Sequence, residues 1–203
     1  MDVNTFFNLN TESLARALLG KLLLIKYKKE VIGGYIVETE AYLGIIDKAC
    51  HGYKGNRSPK VEALYQEAGT IYIYTIHTHK MLNIVTCEKN NPQAVLIRSI
   101  EPVYGISIME QNRGKTGVIL TNGPGKLTQA MGINDWHNMT KIQTGELFID
   151  FNNSKTPKDI ITSYRIGIPN KEEWTKKLLR FYVKGNKYVS DIKKKDCIEL
   201  VWK

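Results

Sequence analysis

The sequence predicts a mixed α/β fold of the α+β kind, with a few helices around a curved, largely antiparallel sheet. Segments typical of strands outnumber those typical of helices, and glycines or turn residues separate most of them. A chain of 203 residues can bury one good-sized core, and its 42% hydrophobic and 24% charged residues are typical of a globular protein. Since no repeat or low-complexity linker divides it, we expect residues 1–203 to form a single domain.

Apolar alternation and turn residues predict the elements along the chain. The predicted helical segments are residues 11–19 (capped by Thr11, stopped by Gly20), 61–67, 102–113 and 124–131. The predicted strands are residues 22–27, 34–42, 70–77 and 94–100, with a final hairpin that joins residues 179–184 to 187–190. The predicted irregular segments are a turn marked by residues 28–30 and Gly33, a long loop over residues 44–60 and a turn or surface loop at 152–157.

Charge and cysteine usage limit the classes of function. The formal net charge is +9, which favours a polyanionic partner such as nucleic acid, although a lysine-rich composition can also serve solubility alone. No apolar stretch approaches the roughly 20 residues of a membrane span, and the first residues do not resemble a secretion signal. Three scattered cysteines indicate free thiols in a reducing cytoplasm. We therefore expect a cytoplasmic protein without a membrane partner.

The second predicted strand concentrates acidic and aromatic side chains on one face. Because strand side chains alternate, Glu38, Glu40 and Tyr42 should point the same way. Burying two acids is costly, but such a face suits a site where a base activates water beside a flat ligand. The alternative is the exposed polar face of an edge strand.

Two further features carry polar side chains of interest. Arg98 interrupts an apolar strand and needs an anionic partner there, which could be structural, such as Glu38 or Glu101. In the segment between Tyr74 and Asn83, His77 and His79 would share one face of a strand. Since no third ligand is evident, we expect no metal.

The run at residues 37–44 (VETEAYLG) is followed in chain order by seven further characteristic segments: residues 49–51 (ACH), 69–74 (GTIYIY), 82–85 (LNIV), 95–102 (VLIRSIEP), 122–127 (NGPGKL), 165–168 (RIGI) and 179–185 (LRFYVKG). Together they resemble one family, the alkyladenine (3-methyladenine) DNA glycosylases, whose fold resembles that of the C-terminal domain of methionyl-tRNA formyltransferase. The chain is most similar to the bacterial, Bacillus-type branch, in which His-Thr-His stands where the animal enzymes have Tyr-Gly-Met.

The resemblance implies base excision repair, in which a damaged purine is flipped out of duplex DNA and its N-glycosidic bond is hydrolysed. The implied lesions are 3-methyladenine, 7-methylguanine, hypoxanthine and ethenoadenine. Glu40 would be the general base, and Arg98 a second contact to the water, to Glu40 or to a phosphate. No lysine matches a nucleophile position, so the implied enzyme is monofunctional. It needs no cofactor, acts as a monomer and works at the bacterial nucleoid.

The same resemblance implies how the base is held. Tyr42 and His51 would form one wall of the pocket and Tyr74 the opposite wall, while Tyr72 is either a supporting contact or core. Asn83 would crowd the amino group of normal guanine, and the His51 N–H would donate to hypoxanthine but not to adenine.

Four residues of the segment between Tyr74 and Asn83 are candidates for the wedge, the side chain that fills the gap left by the flipped nucleotide. The candidates are His77, Thr78, His79 and Met81. Two rival functions are also open: a non-catalytic RNA-binding module of the formyltransferase C-terminal type, and a hydrolase of free nucleosides.

Overall fold

An antiparallel sheet organises the protein. A computed structural model describes residues 6–203, and every named strand pair of its eight-stranded sheet is antiparallel. The strands are β1 (Lys21–Tyr27), β2 (Glu30–Tyr42), β3 (Ile71–Ile76), β4 (His79–Val85), β5 (Ala94–Tyr104), β6 (Leu147–Ser154), β7 (Ile160–Ser163) and β8 (Arg180–Val183). Their order is β3-β4-β5-β2-β1-β6, with β8 beside β2 and β7 beside β8. The predicted mixed α/β class with a largely antiparallel sheet is confirmed.

Strand β2 is the central element, and it is irregular where the acidic residues begin. It pairs with β5 along one edge, and with β1 and then β8 along the other. Its register with β5 shifts between Ile36 and Glu38 and again before Thr39. A bulge of this kind bends a strand and re-aims its side chains. Ile36 and Val37 both enter the main core, while Glu38 and Glu40 turn to a common face.

Short helices cover the sheet. They are α1 (Thr11–Ala17), α2 (Ile106–Arg113) and α3 (Pro124–Met131). Helix α1 is fixed to the central strand because the Thr39 hydroxyl donates to the Ala15 carbonyl over 2.8 Å. The predicted cap was wrong by one residue: the side chain of Asn10, and not that of Thr11, accepts the Ser13 N–H.

A second apolar cluster, smaller than the main core, lies beneath the loop over residues 44–65. Its buried members are Cys50, Val61, Ala63, Leu64, Tyr65, Tyr72, Val85 and Ala94, and Tyr42 and Tyr74 pack against it. The 3-10 segment Pro59–Tyr65 supplies half of this cluster. The predicted long loop is therefore packed against β3 and the end of β2, which fixes the position of His51 near both strands.

Two predicted boundaries were wrong because strands continue through turn-forming residues. Gly33 lies inside β2, and Pro102 lies inside β5, so the helix predicted from residue 102 begins only at Ile106. Pro102 faces Gly34 across the two strands. A side chain at Gly34 would collide with the Glu101 carbonyl at 2.1 Å, so only glycine accommodates this close approach.

Several strand assignments also differ from the prediction. Strands β4, β6 and β7 were not predicted, and β6 continues to Ser154 where a surface turn was expected. Residues 187–190 do not form a hairpin with β8, which pairs with β7 and β2 instead. The backbone N–H of Ser190 is bound to Glu38, so a long-range polar contact replaces the expected local one. No helix among residues 6–203 is long and apolar enough to cross a membrane.

Candidate active site

Glu40 is fully buried at the centre of the site. Its Oε1 accepts the backbone N–H of Ile166 over 2.8 Å, and the Tyr42 hydroxyl donates to its Oε2 over 2.9 Å. The Nη1 of Arg98 lies 3.1 Å from Oε1. Burial raises the pKa of Glu40 above its ordinary value, although Arg98 and the Ile166 N–H act in the opposite direction. This carboxylate is therefore held in place and yet is an unusually good proton acceptor.

Glu38 is equally buried but differently bonded. Its Oε1 accepts from the Nε atoms of Arg98 at 2.8 Å and of Arg180 at 2.7 Å. Its Oε2 accepts from the Ser99 hydroxyl, the Ser190 hydroxyl and the Ser190 N–H. Burial raises the pKa of this carboxyl, but the two arginines and Ser190 outweigh it and lower the pKa below its ordinary value. Glu38 thus anchors the structure and has no room for a further proton donor.

Arg98 joins the two carboxylates. Burial disfavours its charge, but Glu40 and Glu38 outweigh this effect and raise its pKa. Of the two partners considered from sequence, Glu38 is correct and Glu101 is not, because Glu101 pairs with Lys155 at 3.0 Å. The sequence prediction of one face carrying Glu38, Glu40 and Tyr42 agrees with these contacts.

An aromatic recess lies beside Glu40, and Tyr42 contributes to both. It is lined by Tyr42, Ala49, Cys50, His51, Leu64, Tyr72, Tyr74, Asn83 and Ala94. Its cavity volume is about 20 Å³, which is room for about one water molecule. Burial raises the pKa of the Cys50 thiol to about 11, so this thiol is neutral and acts as an apolar lining group. The four predicted pocket residues Tyr42, His51, Tyr74 and Asn83 all meet here.

The two predicted walls touch each other. The ring centroids of His51 and Tyr74 are 4.5 Å apart, with an interplanar angle of 72°. A base stacked between two rings needs them roughly 7 Å apart, which is twice the carbon–carbon contact distance. His51 is fixed because its Nδ1 lies 2.7 Å from the Tyr72 hydroxyl, which makes Tyr72 a supporting contact. A base could enter only after these rings separate.

Asn83 forms a rigid part of the recess. Its Nδ2 donates to the carbonyl oxygens of Tyr72 and Met81, each over 3.1 Å. The side chain is 3% exposed. Both donor positions of the amide are therefore used by the β3–β4 backbone, which fixes the orientation of the side chain.

The β3–β4 turn presents a small exposed tip. His77 has a φ of +53°, and it forms the two-residue turn together with Thr78. His77, Thr78 and His79 are exposed, but Met81 is buried, with 9% exposure. Ile76 is 44% exposed at the tip and was missed by the sequence analysis, although a β-branched residue next to His-Thr-His was a visible signal.

A buried ion pair behind Tyr42 was also missed. Arg165 binds Asp47 through both Nη atoms, with 2.9 Å between Nη2 and Oδ1, and neither side chain is exposed. The guanidinium carbon of Arg165 lies 4.7 Å from the centre of the Tyr42 ring. The next residue, Ile166, donates to Glu40. This pair therefore supports both Tyr42 and Glu40, but no local pattern links two residues that are 118 positions apart.

Metal binding was a minor alternative for the tip. Among residues 6–203, no group of three or more histidine, cysteine or acidic side chains is close enough to hold a metal ion. His77 and His79 thus have no further ligand within the described part of the chain.

Comparisons with known proteins identify the family of this chain. The family model of methylpurine-DNA glycosylases (MPG) matches residues 5–187. The chain belongs to the methylpurine-DNA glycosylase family. A Staphylococcus saprophyticus protein is 52% identical over 191 residues, which cover 94% of each chain. A Staphylococcus aureus MRSA252 protein is 50% identical over 200 residues, which cover 98% of this chain and 99% of the relative. Both relatives carry the provisional name 3-methyladenine DNA glycosylase.

Membership of this family confirms two predictions from the sequence: the resemblance to a bacterial branch of these glycosylases, and an enzyme of the DNA glycosylase class. The matched region ends before Ser190. Ser190 supplies two of the hydrogen bonds to Glu38. The segment beyond the methylpurine-DNA glycosylase match therefore contributes directly to the environment of the acidic pair.

Proposed function

We propose that this glycosylase flips alkylated or deaminated purines out of duplex DNA and hydrolyses their N-glycosidic bonds with a water molecule activated by Glu40. The observation that carries the proposal is the buried Glu40 carboxylate, with its raised pKa, beside Arg98 and the aromatic recess. We further propose that residues 1–203 act as one domain, as a monomer, at the bacterial nucleoid.

The proposed reaction needs one proton acceptor. The water oxygen forms a bond to C1′ while Glu40 takes a proton from the water, and the C1′–N bond breaks with its electron pair going to the base. An alkylated purine carries a positive charge and leaves as a neutral molecule. Hypoxanthine is neutral, so the electron pair turns it into an anion, which takes up a proton from solvent water. Of the two carboxylates, Glu40 is suited to accept the proton from water, because Glu38 already accepts five hydrogen bonds.

The recess is the proposed base pocket. Tyr42, His51 and Tyr74 supply flat faces, and base stacking is worth about 1–3 kcal/mol per base. Because His51 and Tyr74 are in contact, binding must include separation of the two rings. Tyr74 is the mobile partner in our proposal, since the Tyr72 hydroxyl holds His51.

The proposed selectivity rests on two groups at the recess. Asn83 is held by two backbone carbonyls and would crowd the exocyclic amino group of guanine. Within residues 6–203 the backbone N–H of His51 has no hydrogen-bond acceptor, so it can donate to the acceptor atom of hypoxanthine or ethenoadenine. The amino group of adenine would leave that donor unpaired, at a cost of about 1–3 kcal/mol.

Base release from three substrates tests the proposal. The purified protein is incubated with a methylated duplex, the same sequence as a single strand, and the free methylated nucleoside. We expect release of 3-methyladenine and 7-methylguanine from the duplex, with an intact abasic strand until alkali is added. Release from the free nucleoside at an equal rate would indicate a nucleoside hydrolase. Binding without release would favour the non-catalytic module.

A further inference from the structure

Trp136 is conspicuously exposed for a tryptophan, with 68% of its surface accessible. It lies in the 3-10 segment Asp135–His137. The N–H of Met139 donates to the Ile71 carbonyl and the side chain of Asn138 accepts the Ile73 N–H. The chain that follows Trp136 therefore runs along the free edge of β3.

The indole packs against one buried neighbour. Its ring lies 5.3 Å from the ring of His137, with an interplanar angle of 37°. His137 is buried, with 3% exposure, and it forms a reciprocal capping arrangement with Asn134. A tryptophan supported from beneath loses little conformational freedom on binding, so its outer face is ready for a flat ligand.

An ion pair connects this segment to the tip. The Nζ of Lys80 lies 2.6 Å from the Oδ2 of Asp135 and 3.0 Å from the hydroxyl of Thr75. Asp135 precedes Trp136, and Thr75 precedes the exposed Ile76. Asp135 thus places its neighbour Trp136 near the tip that carries the wedge candidates.

We propose that Trp136 is a second duplex-contacting residue that packs on a nucleotide next to the extruded one; this rests on the proposed function. Indole faces stack on bases of any sequence. The net charge of +9 attracts a duplex and repels a second copy of the chain. A stable protein dimer needs about 800 Å² per partner, far more than one indole provides.

Affinity for a duplex that contains an abasic-site analogue tests this contact. Trp136→Ala should weaken binding to this duplex about tenfold, because the stacking contact of the indole is lost. Trp136→Phe should retain most of the affinity. Leu200→Ala is the matched control, since Leu200 is 72% exposed but lies near the segment after β6, at the opposite edge of the sheet. It should bind like the parent.

Tryptophan fluorescence gives an independent measurement. The duplex should quench the emission of the parent, and Trp136→Phe should remove that change while Trp174 and Trp202 continue to emit. Equal affinities of the parent and Trp136→Ala would overturn the proposal. If the parent were a dimer that Trp136→Ala converted to a monomer without loss of DNA affinity, the proposal would be overturned, and Trp136 would contact a second copy of the chain. A parent that does not bind the duplex would overturn the proposed function itself.

Discussion

The Nη1 atom of Arg98 lies 3.1 Å from the Oε1 atom of Glu40, and both side chains are buried. The Nε atom of the same guanidinium binds Glu38. One cation therefore compensates two carboxylates whose pKa values move in opposite directions, down for Glu38 and up for Glu40. This difference divides the pair into an anchor and a proton acceptor, and the first two predictions follow from it.

Glu38→Gln should destabilise the fold by about 3–5 kcal/mol at neutral pH, because Arg98 and Arg180 lose their shared buried partner. The lowered pKa of Glu38 means that its contribution is present above the unfolded pKa and is lost as pH falls through the folded value. Denaturant unfolding at pH 7 and at acid pH measures this difference.

A surface pair provides the control for this variant. Glu62→Gln removes the partner of Arg57 at an exposed site, where solvent screens the charges and the pair contributes little stability. If Glu38→Gln were no more destabilising than Glu62→Gln, the anchoring role of Glu38 would be wrong.

Base release should decline with acid at a higher pH than an ordinary glutamate would predict. Burial raises the pKa of Glu40 above its ordinary value, and only the ionised form accepts a proton from water. Release of 7-methylguanine, measured at saturating duplex across the acid range, should therefore begin to fall at a pH above the ordinary glutamate pKa of about 4.3. A rate that stays constant down to that ordinary pKa would contradict a role for an ionised Glu40 with a raised pKa.

The raised pKa of Glu40 affects folding stability in the direction opposite to the lowered pKa of Glu38. A raised folded pKa contributes stability below the unfolded pKa, and this contribution is lost as pH rises through the folded value. The ionised Glu40 thus costs stability at neutral pH. Glu38 and Glu40 should therefore respond to acid in opposite ways.

Asn83→Ser should change selectivity among purines. The smaller side chain leaves space beside the purine amino group, so excision of undamaged guanine should rise about tenfold relative to hypoxanthine, equivalent to about 1.4 kcal/mol. Rates on two duplexes that differ only in the target base measure the ratio. An unchanged ratio would remove Asn83 from the account of selectivity.

The tip of the β3–β4 turn should affect all lesions alike. Alanine at His77, Thr78 and His79 together, or at Ile76 alone, should weaken binding to each lesion by a similar factor, because a wedge offsets lost stacking whatever base has left. We expect the larger loss, about tenfold, for Ile76→Ala, since an apolar side chain suits the gap better than a polar one. Binding affinities for duplexes with two different lesions test this.

The structure makes Met81 a weaker candidate for the wedge than the sequence did. It is buried beneath the tip and would reach a duplex only after repacking. If the triple variant loses affinity and Ile76→Ala does not, the wedge lies among His77, Thr78 and His79.

Patterns within one strand were readable from the sequence, whereas contacts between distant segments were not. The face shared by Glu38, Glu40 and Tyr42 follows from alternation, and Pro124–Met131 follows from its proline start and glycine stop. The Asp47–Arg165 pair joins positions 118 residues apart, and Ser190 reaches Glu38 across 152. No sequence pattern near any of these residues indicates its distant partner.

The closed recess could not be predicted for a related reason. The family resemblance gave the identity of the walls, but the edge-to-face contact of His51 and Tyr74 depends on how the 44–65 loop packs on β3. Strand ends were misjudged where a single close approach, such as Gly34 to Glu101, overrides a turn-forming residue.

Glu40→Gln tests the central claim most directly. The amide oxygen can accept from Ile166 as Oε1 does, and the amide nitrogen can donate to the Tyr42 oxygen, so fold and pocket are preserved while the proton acceptor is lost. Single-turnover release of 3-methyladenine, with binding to an abasic-analogue duplex measured in parallel, is the experiment. We predict that release falls by at least a thousandfold, about 4 kcal/mol, with binding and thermal stability retained. Release close to the parent rate, after mass spectrometry has excluded deamidation to glutamate, would contradict the role of Glu40 as the base.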